Sequence, residues 1–146
     1  MVAVVVLILL GLGLRLSIPH LGSSVAGGIA TDNGQQTLAD CPATPNCHRD
    51  TLAIEADPSS AIETMATLIS EQPGARIVSR NDHYLHATWS TRLMGFVDDV
   101  ECLLIPASGN DQAVLQIRSA SRLGKSDLGA NEKRIAALRS IGHGRL

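Results

Sequence analysis

The side chains best suited to chemistry lie on two neighbouring stretches of the chain. Residues 96–101 read Phe-Val-Asp-Asp-Val-Glu, and residues 116–122 read Gln-Ile-Arg-Ser-Ala-Ser-Arg. Side chains of an extended strand alternate between its two faces, so Asp99 and Glu101 share one face, roughly 7 Å apart. Arg118 and Arg122 share a face of the next strand for the same reason. Antiparallel pairing places these guanidinium groups opposite the carboxylates. His86, in the preceding strand, faces the same way as Tyr84, Thr88 and Ser90. Three chemistries fit this set. It can be a structural ion-pair network on a sheet. It can be a recognition surface, with the arginines holding a carboxylate or phosphate and the acids orienting them. It can be a hydrolase-like or metal-binding site, with Asp99 and Glu101 doing acid/base or metal work beside His86. No nucleophile motif, Gly-rich phosphate loop or H-E-x-x-H pattern supports the last. The residues favour a non-enzymatic ligand- or protein-binding module with His86, Asp99, Glu101, Arg118 and Arg122 as its ligand-binding set, and they call for no cofactor.

The cysteines add a second signal. Cys41-Pro-Ala-Thr-Pro-Asn-Cys47 brackets a short turn stiffened by two prolines. In an exported chain the simplest chemistry is a Cys41–Cys47 disulfide. A zinc site built on Cys41, Cys47 and His48 has the wrong spacing and lacks a second pair. Lipid attachment at Cys41 is disfavoured by Asp40 before it and by the distance to any apolar run. Cys102 lies among apolar strand residues and reads as a buried thiol.

The elements that must position these residues follow from periodicity. Residues 51–56 alternate as a short strand. Asp57-Pro58 then opens a helix, with Asp57 as cap, Pro58 at the first position, and Ile62, Met65, Ala66 and Ile69 on one face. Pro73-Gly74 ends it. Residues 75–79 and 83–91 form two strands around a turn at 80–82, and residues 96–105 and 113–122 form two more around Asn110-Asp111. Asp127 caps a last helix from about Gly129, with Leu128, Ile135, Leu138 and Ile141 as its apolar face and Lys133, Arg134 and Arg139 as its wet side. The resulting order, β-α-β-β-β-β-α, predicts a single α+β domain: a curved antiparallel sheet with two helices packed on one face.

Residues 2–14 are an unbroken apolar run. A bilayer span needs about 20 residues, and this run has the length of a signal-peptide core. No Lys or Arg precedes it, Arg15 follows it, and Ser24-Val25-Ala26 offers small residues for cleavage. Residues 1–26 are therefore expected to be a signal peptide or membrane anchor. Residues 27–40, rich in Gly, Asn and Gln, read as a flexible linker, and residues 41–146 as the folded domain. The expected address is the cell envelope, inner membrane-anchored or periplasmic, with the membrane engaged through the N-terminal segment. The expected partner is a small anionic ligand or an envelope protein. A formal charge of -2 on 146 residues and only three aromatic side chains argue against nucleic acid.

CPATPNC, YLHA, GFVDDVE and IRSASRLGKSDLGANEKRI together resemble the bacterial and plastid family of domain of unknown function 1499, over residues 41–139. The positions that match its pattern are Cys41, Cys47, His86, Phe96, Asp98, Asp99, Glu101, Arg118, Ser119, Ser121, Arg122, Gly124, Asp127, Gly129, Asn131 and Arg134. Cys102 stands where the family pattern has Phe, and His48-Arg49 replaces small or apolar residues. The resemblance implies occurrence behind N-terminal hydrophobic segments in cell-envelope or thylakoid proteins, and it implies no activity.

Overall fold

The computed structural model describes residues 27–55, 57–91 and 95–146. The signal-peptide or anchor reading of residues 1–26 lies outside the described residues. Among the described residues no helix is long and apolar enough to cross a membrane. The chain forms a hairpin of β1 (Ile29–Asp32) and β2 (Gln35–Leu38), then β3 (Cys47–Ala53), a 3-10 turn (Pro58–Ser60) running into α1 (Ala61–Ser70), β4 (Ala75–Arg80), β5 (Tyr84–Ser90), β6 (Val97–Ile105), β7 (Val114–Ser121) and α2 (Ala130–Gly142). The main sheet has the order β3-β7-β6-β5-β4 and every neighbouring pair is antiparallel. The single α+β domain and the order of its strands and helices are those read from the sequence, with a hairpin added in front.

Asp57 and Pro58 open a 3-10 turn where the sequence predicts a helix start, and α1 itself begins three residues later, at Ala61. The Asp57 carboxylate accepts a hydrogen bond from the Ser59 amide at 3.0 Å, and Pro58 opens the first turn. Ile62, Met65, Ala66, Leu68 and Ile69 are all buried. Burying an Ile, Leu or Met side chain contributes about 1.5–3 kcal/mol. Gly74 stops the helix in a left-handed conformation (φ +83°), and a Cβ there would lie 2.4 Å from the Ser90 carbonyl oxygen, so no other residue fits. The helix packs on Leu85 and Ala87 of β5 and on Val100, Cys102 and Leu104 of β6, and α2 completes the same layer with Ile135 and Leu138.

Residues 27–40 are not a linker. Asp32-Asn33-Gly34-Gln35 closes a tight hairpin, with Asn33 at φ 49° and Gly34 at φ +81°. Asn-Gly is the pair that supplies two left-handed positions in a two-residue turn. Leu38 at the end of β2 is fully buried. The hairpin lies over the sheet face opposite the helices, where β2 touches β6 and β7. β6 is consequently buried on both sides along nearly its whole length.

The C-terminal helix also departs from expectation. It begins at Ala130, and Leu128 sits before it at φ 55°, 89 % exposed, so it does not join the apolar face. Ile141 is 40 % exposed. Arg134, read as a solvated residue, is instead nearly buried by an ion pair to Asp98. The Asp127 expectation holds, because its carboxylate accepts from the amides of Gly129 and Asn131 at 3.0 and 2.8 Å.

Cys41 and Cys47 are bonded, with Cα atoms 5.5 Å apart, while Cys102 is a free, buried thiol whose pKa burial pushes up to about 12. Closing so short a loop removes unfolded-state entropy worth about 2 kcal/mol. Replacing both residues (Cys41→Ser with Cys47→Ser) is expected to lower the unfolding free energy by that amount, read as a lower urea midpoint at unchanged slope.

Candidate functional site

Strand pairing determines which side chains meet beneath the hairpin. His86, Glu101, Arg118 and Arg49 are successive Cα partners across β5, β6, β7 and β3. The next rung carries Thr88, Asp99, Ala120 and Cys47. All of these side chains face the hairpin, because their neighbours Val100, Ile117 and Ala87 face the helices.

Glu101 is fully buried and accepts four hydrogen bonds. Its Oε2 takes Arg118 Nη1 and the Gly27 amide, both at 3.0 Å. Its Oε1 takes the Tyr84 hydroxyl at 2.7 Å and the Gly28 amide at 2.8 Å. Two successive main-chain N–H groups thus close on a carboxylate, and a guanidinium neutralises it. Burial and the bond to Glu101 push the Tyr84 hydroxyl pKa well above its ordinary value, so Tyr84 stays a donor. A Cβ on Gly27 would lie 2.9 Å from Arg118 Cζ and Nη1, so a larger residue there would push the guanidinium from its place.

Asp99 is held differently. Arg122 grips it with two parallel bonds, Nε to Oδ2 at 2.9 Å and Nη2 to Oδ1 at 2.8 Å. His86 Nε2 lies 2.8 Å from Oδ1 and donates there in the tautomer a carboxylate requires. Burial raises the Asp99 pKa, but the His86 and Arg122 hydrogen bonds and the Arg122 charge outweigh it, leaving the carboxyl below its ordinary range. The Asp99 partnership in turn raises the Arg122 pKa.

Further bonds fasten the hairpin. Gln116 Oε1 accepts from the Leu38 amide at 2.8 Å and from the Thr37 hydroxyl at 3.0 Å. Arg49 Nη1 donates to the Leu38 carbonyl oxygen and pairs with Asp40.

The five residues singled out by strand alternation do come together, but as a covered network instead of an open surface. The carboxylate oxygens of Asp99 and Glu101 all face donors. Arg118 is different. It is 8 % exposed, and its Nε is buried without a hydrogen-bond partner among the described residues. Arg118 also lines a pocket of about 130 Å³ with Asp99, Ala120 and Ser121 on one side and Pro42, Thr44, Asn46 and Cys47 of the disulfide loop on the other.

Sequence reading missed the parts played by four residues. Tyr84 was visible as a face-mate of His86, but its bond to Glu101 needs a diagonal contact between strands. Gly27 and Gly28 were assigned to a linker, and only the Asn33-Gly34 turn signal pointed to a hairpin there. On the helix side, Asn131 joins the disulfide loop to the core: its Nδ2 donates to the Asn46 carbonyl and the Ser121 hydroxyl, both at 2.9 Å, and its Oδ1 accepts from Ser119 and Arg134. Arg134 also bonds Asp98 Oδ2 at 2.7 Å and lies 4.9 Å from the Trp89 ring centre.

A family model described as "Protein of unknown function (DUF1499)" matches residues 37–141. No curated protein matches the chain. The match begins inside β2, so Gly27, Gly28 and β1 lie before it.

Two outcomes follow. Glu101→Gln places an amide N–H₂ among donors and leaves Arg118 uncompensated, and breaking a buried pair in this way costs about 3–5 kcal/mol. Denaturant unfolding should show that loss, and hydrogen exchange at Gly28 should quicken. Asp99, held low in the folded state, contributes its stabilisation fully above its unfolded pKa of about 3.9 and loses it as pH falls through the lower folded value. Asp99→Asn should therefore reduce stability at pH 7 and flatten the acid limb of the stability–pH curve.

Proposed function

The chain belongs to the DUF1499 family of proteins of unknown function, and from that premise we propose that it is a non-catalytic binding module of the cell envelope. Its ligand carries a small anionic group, a carboxylate or a phosphate, that sits against Arg118 beside the disulfide loop. The observation that carries this reading is the nearly buried Arg118, which lines a 130 Å³ pocket and whose Nε has no hydrogen-bond partner among the described residues. A buried donor without an acceptor is costly, and an anion supplies the acceptor and the opposite charge together.

The acids support the reading by what they already do. Asp99 shares the pocket wall, but Arg122 and His86 compensate its charge, so it does not repel an anion as a bare carboxylate would. Glu101 spends its oxygens on Tyr84, Arg118 and the hairpin, which leaves no lone pair directed at a substrate or a metal ion. The envelope address is supported by the disulfide, which persists in oxidising compartments. Residues 1–26 would bring the domain there as a signal peptide or a tether.

Titration of the full chain with inorganic phosphate or acetate, followed by calorimetry and by thermal unfolding, tests the proposal. Saturable binding with a rise in melting temperature is expected. Ala120→Leu fills the pocket from a half-buried rung position and should abolish the response while the fold persists. Arg118→Lys keeps the charge but loses the fork, and should weaken binding about tenfold. No response to either anion, or an Ala120→Leu variant that responds like the natural chain, would sink the reading.

A further inference from the structure

Six large apolar side chains are conspicuously exposed among the described residues, and three of them gather at one end of the sheet: Phe96 (42 %), Leu123 (43 %) and Leu128 (89 %). They stand on the loops that precede β6 and follow β7. Phe96 and Leu123 line one groove of about 160 Å³, whose wall also holds Asp98, paired with Arg134, and Asp127, bonded to the Gly129 and Asn131 amides. Leu128 projects from a left-handed backbone position that leucine seldom adopts. Lys125, between the two leucines, is exposed and makes no ion pair among the described residues.

The path of the chain says what this end faces. The Ala39 amide bonds the Gly28 carbonyl, which extends the β1–β2 ladder past Ile29 and Leu38. Residues 27–28 therefore run antiparallel to residues 39–41, and so point back toward Cys41. Cys41 is bonded to Cys47, which pairs with Ala120 at the end of β7 that leads to Leu123. Gly27 thus lies nearer the apolar-loop end of the sheet than Ile29 does. Twelve residues separate the apolar run 2–14 from Gly27, and their fully extended reach is about 40 Å.

We propose that Phe96, Leu123 and Leu128, with Lys125, form a bilayer-facing surface that rests on anionic lipid headgroups when residues 2–14 are in the membrane. The chemistry suits an interface: an aromatic and two leucines for the acyl boundary, and one unpaired cation for the headgroups. So few contacts bind weakly alone. A tether of this length holds them at high effective concentration and makes the contact persistent. Phe96, Leu123, Lys125 and Leu128 are not among the residues that line the Arg118 pocket, and the proposal does not depend on that pocket.

The test uses the full chain in vesicles of phosphatidylcholine with phosphatidylglycerol. Leu128→Cys is labelled with an environment-sensitive fluorophore, and Val78→Cys, 54 % exposed on β4, serves as the reference. Quenching by spin-labelled lipid should be several-fold stronger at position 128 than at position 78. Lys125→Glu should reduce it in anionic vesicles and leave it unchanged in neutral ones. Equal quenching at the two positions overturns the proposal. Shielding at position 128 that grows with protein density in the vesicles, with no lipid quenching, assigns the surface to a second copy of the chain and also overturns it.

Discussion

A carboxylate placed in the middle of a five-stranded sheet and removed from water must be surrounded by donors, and that requirement shapes the hairpin side of this protein. Glu101 has no exposed surface, so its negative charge would be prohibitive without a cation and hydrogen bonds in place. β7 supplies the cation through Arg118, β5 supplies a hydroxyl through Tyr84, and the N-terminal segment supplies two main-chain amides. Three separate stretches of chain are thereby committed to one pair of oxygens. The hairpin has little apolar surface of its own apart from Leu38, so polar attachment to Glu101, Gln116 and Arg49 is what keeps it on the sheet.

The adjacent acids of β6 show how a period of two divides charge between layers. Asp98 points to the helices, where Arg134 and the Asn131 cluster receive it. Asp99 and Glu101 point to the hairpin, where Arg122 and Arg118 do the same. Each carboxylate thus has an arginine from a different part of the sequence, and β6 becomes a strand with both faces sealed. Removing any one arginine would strand a buried charge, which makes these pairs determinants of how the layers are assembled, whatever they add to net stability.

Much of this architecture was legible because alternation and capping are local. The faces of β5, β6 and β7, the 3-10 turn that Asp57-Pro58 opens ahead of α1 and the Asp127 cap all follow from residues within a few positions of one another. The failures were non-local. Residues 27–40 lack an apolar period, and their order comes from Glu101, more than seventy positions away. Only Asn33-Gly34 betrayed the turn. Arg134 looked solvated because helical periodicity cannot see Asp98 on another element. Leu128 looked like part of an apolar face because it keeps helical spacing, although its backbone leaves the helix.

The charges beneath the hairpin are matched in number but not equally satisfied. Arg49, Arg118 and Arg122 face Asp40, Asp99 and Glu101, three against three by formal charge. The match is uneven in its surroundings. The Asp40 side chain is 92 % exposed, so water and salt screen its pull on Arg49. Arg49 is the direct cross-strand partner of Arg118, and like charges in that position repel. Arg122 is satisfied by two bonds to Asp99, while Arg118 gives Glu101 a single one and keeps a buried Nε without an acceptor. Arg118, the least fully satisfied of the three, also lines the pocket walled by the disulfide loop. The same Asn131 cluster that fixes that loop through Asn46 also fixes α2 and Asp98. The pocket wall is thus anchored to the core on one side and cross-linked by Cys41–Cys47 on the other. Such a wall is preorganised, and preorganisation lowers the ordering cost of any contact made against it.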